Sequence, residues 1–135
     1  MAKDYLFRAE RCLKEAFLAI KDEDAAGAIR RSQEALELAV KALLRLMGIE
    51  YPKIHDVGDV LIENADKLPE ELKENIKELA DLISELASIR GPAFYGYEIE
   101  GVPASKAFKK EYAEETYKKV EAYIKVIYSF MLKHL

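Results

Sequence analysis

One cysteine, Cys12, and two histidines, His55 and His134, are all that this 135-residue chain offers to a disulfide or a soft metal. A lone thiol excludes an internal disulfide and the stapled secreted scaffolds that depend on one. Neither histidine has a second histidine or a cysteine at ligand spacing, so no metal site and no cofactor are expected. No apolar run approaches the roughly 20 residues of a membrane span, which argues against a membrane partner. The N-terminal MAKDYLFRAER is no signal peptide, so the expected location is the cytoplasm. Gly-rich phosphate loops of the standard types are missing. Positive charge is short as well: the formal net charge is -4, which argues against sequence-independent duplex binding. Glutamine occurs once and asparagine twice beside abundant Glu and Lys, a bias seen in hyperthermophile proteins, so a thermophilic source is expected. No period-two strand pattern appears anywhere.

The chain is rich in helical periodicity. Leu6, Ala9, Leu13, Ala16, Phe17 and Ile20 recur on one face of a first helix, from about Lys3 to Lys21. Asp22 to Asp24 form a polar break, and Asp24 suits the N-cap of a second helix that tolerates Gly27. That helix carries Ala28, Ile29, Ala35, Leu36, Ala39, Leu43 and Met47, and Leu38, Leu44 and Leu46 widen its apolar surface beyond one stripe. It must pack on more than one side, either centrally in a bundle or against a second subunit. Gly48 and Pro52 stop it. IHDVGDVLIENADK holds a short third helix of about ten residues, with His55 placed to cap or pack there. Pro69 opens a fourth helix, with Glu70 and Glu71 in its first turn. A last helix runs from near Ser105 almost to Leu135. Its tyrosines (Tyr112, Tyr117, Tyr123, Tyr128) are expected at the core edge with hydroxyls reaching water. The fold class is therefore all-α: an antiparallel up-and-down bundle of four long helices plus one short helix, in a single domain spanning 1–135.

One stretch departs from this texture. SIRGPAFYGYEIEGVP, residues 88–103, crowds three glycines, two prolines and three aromatics behind an arginine. Gly91-Pro92 is expected to break the fourth helix, leaving Arg90 at its end, where a cation suits the helix dipole. Phe94, Tyr95 and Tyr97 then fold back over the end of the bundle, or line a loop that carries function. Arg30-Arg31 is a local positive spot in which one of the two is expected to be merely solvated. Gln33 and Glu37, four residues apart, suggest a polar stripe facing a groove. Cys12, beside the apolar stripe, reads as an inert thiol. His134 reads as a solvated terminal residue.

The order and spacing of these features resemble the HEPN domains, named for higher eukaryote and prokaryote nucleotide-binding proteins. The resemblance rests on Gln33, Ala35, Leu43-Leu44, Gly48, Pro52, His55-Asp56 and Gly58, and resumes at IRGPAFYGYEIEGVPASKAF. It implies a dimerising helical bundle, often working beside a small nucleotidyltransferase in a toxin–antitoxin-like pair. Many such domains cut RNA without metal, using an arginine and a histidine with four to six residues between them. Here Arg90 matches the arginine, while Tyr95, Gly96 and Tyr97 hold the positions allowed for the histidine. A tyrosine, with an intrinsic pKa of about 10, is a poor proton shuttle at neutral pH. The resemblance therefore implies a nucleotide- or RNA-binding module whose ligand-binding residues are Arg90, Tyr95, Tyr97, Arg30 and Gln33. Its alternatives are a degenerate metal-independent ribonuclease using Arg90 with Tyr95 or Tyr97, and a structural dimer or partner contact. Counted from Arg90, Tyr97 matches a tyrosine that some paired partners modify with adenylate.

Overall fold

A computed structural model describes residues 1–51, 57–97 and 100–134. The chain is all-α, and among the described residues no strand forms beyond an isolated antiparallel bridge between Tyr97 and Val102. Among the described residues seven α-helices follow in order: α1 (Ala2–Lys21), α2 (Ala25–Leu46), α3 (Val57–Glu63), α4 (Glu70–Lys73), α5 (Ile76–Tyr95), α6 (Ala104–Ala107) and α7 (Lys110–Leu132). The four long ones, α1, α2, α5 and α7, alternate in direction. Glu15 meets Arg31 and Tyr5 meets Arg45 across α1 and α2, and Arg30 meets Phe94 across α2 and α5.

Asp24 caps α2 as its sequence suggests, accepting a 2.9 Å hydrogen bond from the Gly27 amide. A Cβ at Gly27 would run into that carboxylate, so the glycine makes room for the cap. Helix α2 lies at the centre, packed against α1, α5 and α7. Leu38 and Leu44 are buried and Leu46 packs against the same core, so neighbours within the chain cover the apolar surface beyond one stripe. Of the two explanations for that surplus, a central position is the one observed, and α2 offers no surplus to a second subunit.

The fourth helix departs from expectation at both ends. Its first turn, α4, is separate: the chain leaves helical geometry at Asn75 (φ -114°, ψ 21°), whose side chain donates to the Glu71 carbonyl at 3.1 Å. At the other end Gly91-Pro92 does not break the helix, which continues to Tyr95. Glycine before proline removes the Cβ that would clash with the proline ring in helical geometry. Ala93 is buried in a small cluster with Ala28 and Ile29 of α2 and Ala113 of α7, which anchors the extra turn. The helix ends instead at Gly96 (φ 76°, ψ -168°), a backbone conformation that only glycine adopts readily. The last long helix begins at Lys110, after the single turn of α6.

Candidate functional site

The extra turn of α5 decides the geometry of the site. Because Arg90, Gly91, Phe94 and Tyr95 are helical, spacings of three to five residues bring them to one side of α5, opposite the N-terminal half of α2. Between the two helices lies an open groove of about 660 Å³. Arg30, Gln33 and Glu34 of α2 line one wall, and Arg90, Phe94 and Tyr95 of α5 line the other. Phe94 and Tyr95 are exposed, and their rings meet edge to face at 4.6 Å.

The adjacent arginines Arg30 and Arg31 have different surroundings. Arg31 is held by Glu15 at 3.0 Å and Glu34 at 3.1 Å. Arg30 places its guanidinium 5.1 Å from the centre of the Phe94 ring. Its Nε is buried with no hydrogen-bond partner among the described residues. A buried guanidinium N–H without an acceptor is costly. Arg90 is exposed and likewise makes no ion pair among the described residues. Gln33 is buried and donates to Glu37 at 3.0 Å, and Lys41 donates to the other Glu37 oxygen at 2.9 Å. Burial raises the Glu37 pKa, but these two bonds and the charges of Lys41 and Arg90 outweigh it and hold the carboxyl below its ordinary value. With Glu34 paired and Glu37 covered, Arg30 and Arg90 leave the groove cationic along an aromatic edge. Guanidiniums suit phosphate, and exposed rings suit the face of a base.

A family model for the HEPN domain matches residues 2–130. The chain belongs to the HEPN domain family. No curated protein and no solved structure matches it. HEPN membership gives the chain a nucleotide- or RNA-related function.

In this HEPN chain, four of the five residues singled out as ligand-binding, Arg30, Gln33, Arg90 and Tyr95, meet in the one groove. Tyr97 does not line it. It lies past the Gly96 turn with its backbone paired to Val102 and its ring 6.2 Å from Phe108, and it is 38% exposed. Phe94 also lines the groove and is not among those five; with Tyr95 and Tyr97 it was expected over the end of the bundle or in a functional loop. Its i,i+4 spacing from Arg90 is the signal, and it becomes legible only if Gly91-Pro92 is allowed inside a helix. His55 lies outside the described residues. Cys12 is buried, and burial first, then Glu34 and Glu15, push its thiol up to about 11, so it is inert at neutral pH. His134 is exposed, stacks on Phe130 at 4.3 Å and pairs its Nδ1 with the Phe130 carbonyl. The hydroxyls of Tyr112 and Tyr117 bond Glu85 and Glu121, each at 3.1 Å, where water was the expected partner. Burial, followed by these carboxylate bonds, pushes both tyrosines up to about 12. Among the described residues no group of three or more His, Cys, Asp or Glu side chains forms a metal site, and no helix is long and apolar enough to cross a membrane.

Proposed function

We propose that this HEPN domain is a non-catalytic binding module that holds a nucleotide or a short RNA in the α2–α5 groove. Arg30 and Arg90 bind phosphate, Phe94 and Tyr95 offer ring faces to a base, and Gln33 presents an amide to polar groups. The observation that carries this reading is a groove that brings together the guanidiniums of Arg30 and Arg90, neither in an ion pair among the described residues, and the exposed rings of Phe94 and Tyr95. Binding is favoured over cleavage because Tyr95, Gly96 and Tyr97 hold the positions allowed for a proton-moving histidine after Arg90, and among the described residues no histidine lines the groove. Titration of the purified protein with mononucleotides and short RNAs by calorimetry tests it. Saturable binding at micromolar to millimolar concentration is expected, without cleavage of the RNA. No binding at millimolar concentration, even with a partner protein present, would leave the groove a structural feature only.

The same reading includes a protein partner, a minimal nucleotidyltransferase in a toxin–antitoxin-like pair, with Tyr97 as the residue it would modify. In that step the Tyr97 hydroxyl attacks the α-phosphate of a nucleoside triphosphate, and pyrophosphate leaves. The 38% exposure of Tyr97, outside the groove, is compatible with access from another protein. It also includes a homodimer. Because α2 is used up within the chain, the reading places the contact on α1, where Phe7 and Leu18 are 55% and 57% exposed. These positions lie eleven apart, three helical turns, and so share one face. Sedimentation equilibrium at micromolar concentration should give twice the chain mass, and Phe7→Glu with Leu18→Glu should return it to one. A monomer at high concentration would remove the dimer from the reading.

A further inference from the structure

A second groove lies further along α2, with a volume of about 570 Å³. Tyr5 of α1, Lys41 and Arg45 of α2, and Glu50 and Tyr51 beyond α2 line it. The Arg45 guanidinium lies 5.1 Å from the centre of the Tyr5 ring, and that of Arg8 lies 5.6 Å from the same ring. Tyr51, which lines the same groove, favours the charged form of Arg45 and raises its pKa above the ordinary arginine value. Neither Arg8 nor Arg45 forms an ion pair among the described residues. The chemistry of the first groove recurs here: guanidiniums without carboxylate partners, next to tyrosine rings.

The two grooves are continuous in their polar contacts. Gln33 lines the first, Lys41 lines the second, and both donate to the one carboxylate of Glu37. At about 3.6 residues per turn, positions 30, 33, 34, 37, 41 and 45 fall within roughly 120° of one another around α2, so both grooves open on one side. Glu37, the acid between them, is covered by its two donors and by the Arg90 charge, so it is no barrier to a polyanion. From Arg30 to Arg45 the helix rises about 22 Å, at about 1.5 Å per residue. A free nucleotide can occupy only one groove. At the rise of about 3.4 Å per nucleotide of a stacked strand, six or seven steps cover the distance, and an unstacked strand needs fewer.

We propose that the Tyr5–Arg45–Tyr51 groove is a second subsite for the same ligand, which is a single-stranded RNA laid along α2 rather than a free nucleotide. This rests on the reading of the α2–α5 groove given above. Lys41 and Arg45 take phosphates of the distal part of the strand, and the tyrosines stack on its bases. Among the described residues Glu50 is the one carboxylate lining the second groove, and it opposes the phosphates there.

Fluorescence anisotropy with a randomised 12-nucleotide RNA and a randomised trinucleotide tests this. Arg45→Ala is expected to weaken the 12-mer about tenfold, leave the trinucleotide within twofold, and flatten the salt dependence of 12-mer binding by nearly one counterion. Tyr51→Leu should weaken the 12-mer in the same selective way. Glu50→Gln should tighten it, a gain that partial unfolding would not imitate. If Arg45→Ala and Glu50→Gln leave 12-mer affinity unchanged while Arg90→Ala weakens it, the second subsite is wrong and the α2–α5 groove stands alone. If neither RNA binds at millimolar concentration, both proposals are wrong.

Discussion

Arg90→Ala is expected to weaken nucleotide or RNA binding roughly tenfold to a hundredfold, because a charge-assisted hydrogen bond contributes on the order of 1.5–3 kcal/mol. The melting temperature should barely move, since Arg90 is exposed and holds no ion pair among the described residues. Arg90→Lys should recover part of the loss, because an ammonium supplies the charge and lacks the planar fork. Arg30→Ala should cost binding by a similar factor, since its guanidinium lines the same groove. It also removes the guanidinium that stacks on Phe94, so a small loss of stability is expected too. The two losses should not add, because both side chains face one groove and would share one phosphate group. Titration of the parent and the three variants, with melting curves alongside, checks this. A purely structural role for the pair gives another pattern: stability lost in step with each substitution, Arg90→Lys equal to the parent, and no affinity to lose.

The second large effect is expected at Gly96. Its φ of 76° and ψ of -168° lie where a side chain is strained by about 1–3 kcal/mol. Space is lacking too: a Cβ there would collide with the Val102 carbonyl oxygen and come within 2.6 Å of the Ala104 amide nitrogen. Both obstacles are backbone, so the turn itself must shift. Gly96→Ala should lower the melting temperature by about 5–10 °C, from the few kcal/mol of strain and the entropy of unfolding of a chain this size. Gly48→Ala is the control. Gly48 also has a positive φ, 69°, but a Cβ there meets nothing within 4 Å, so its loss should be only about 1 kcal/mol. Equal effects at the two glycines would show that the turn after α5 yields freely. In the expected case, hydrogen exchange should speed up at the Tyr97 and Val102 amides, which pair with each other's carbonyls at 2.7 and 3.0 Å.

Much of the architecture was legible in the chain itself. Apolar residues at helical spacing over long stretches, with Asp24 as a cap and Gly48 as a stop, mark α1, α2 and α7 to within a few residues, because each signal is local. The family likeness was legible as well, through the order of Gln33, Gly48, Gly58 and Arg90. Arg30, Gln33, Arg90 and Tyr95 could be named as chemistry-bearing residues from type and spacing alone. That they share one groove could not, since Arg30 and Gln33 stand about sixty residues of chain before Arg90 and Tyr95.

Only the tertiary structure decided the rest. The width of the apolar surface on α2 fits a central helix and a subunit interface equally well, and packing against α1, α5 and α7 chose the first. Gly91-Pro92 is a strong local breaker, yet α5 runs through it. The burial of Ala93 against Ala28, Ile29 and Ala113 anchors the extra turn, an interaction that no window of sequence around Pro92 contains. That turn carries Phe94 and Tyr95 to the side of Arg90 and leaves Tyr97 beyond Gly96, outside the groove. Local preference proposes where a helix ends, but contacts between residues distant in sequence set the free energy of continuing it, and at this site they outweigh the preference.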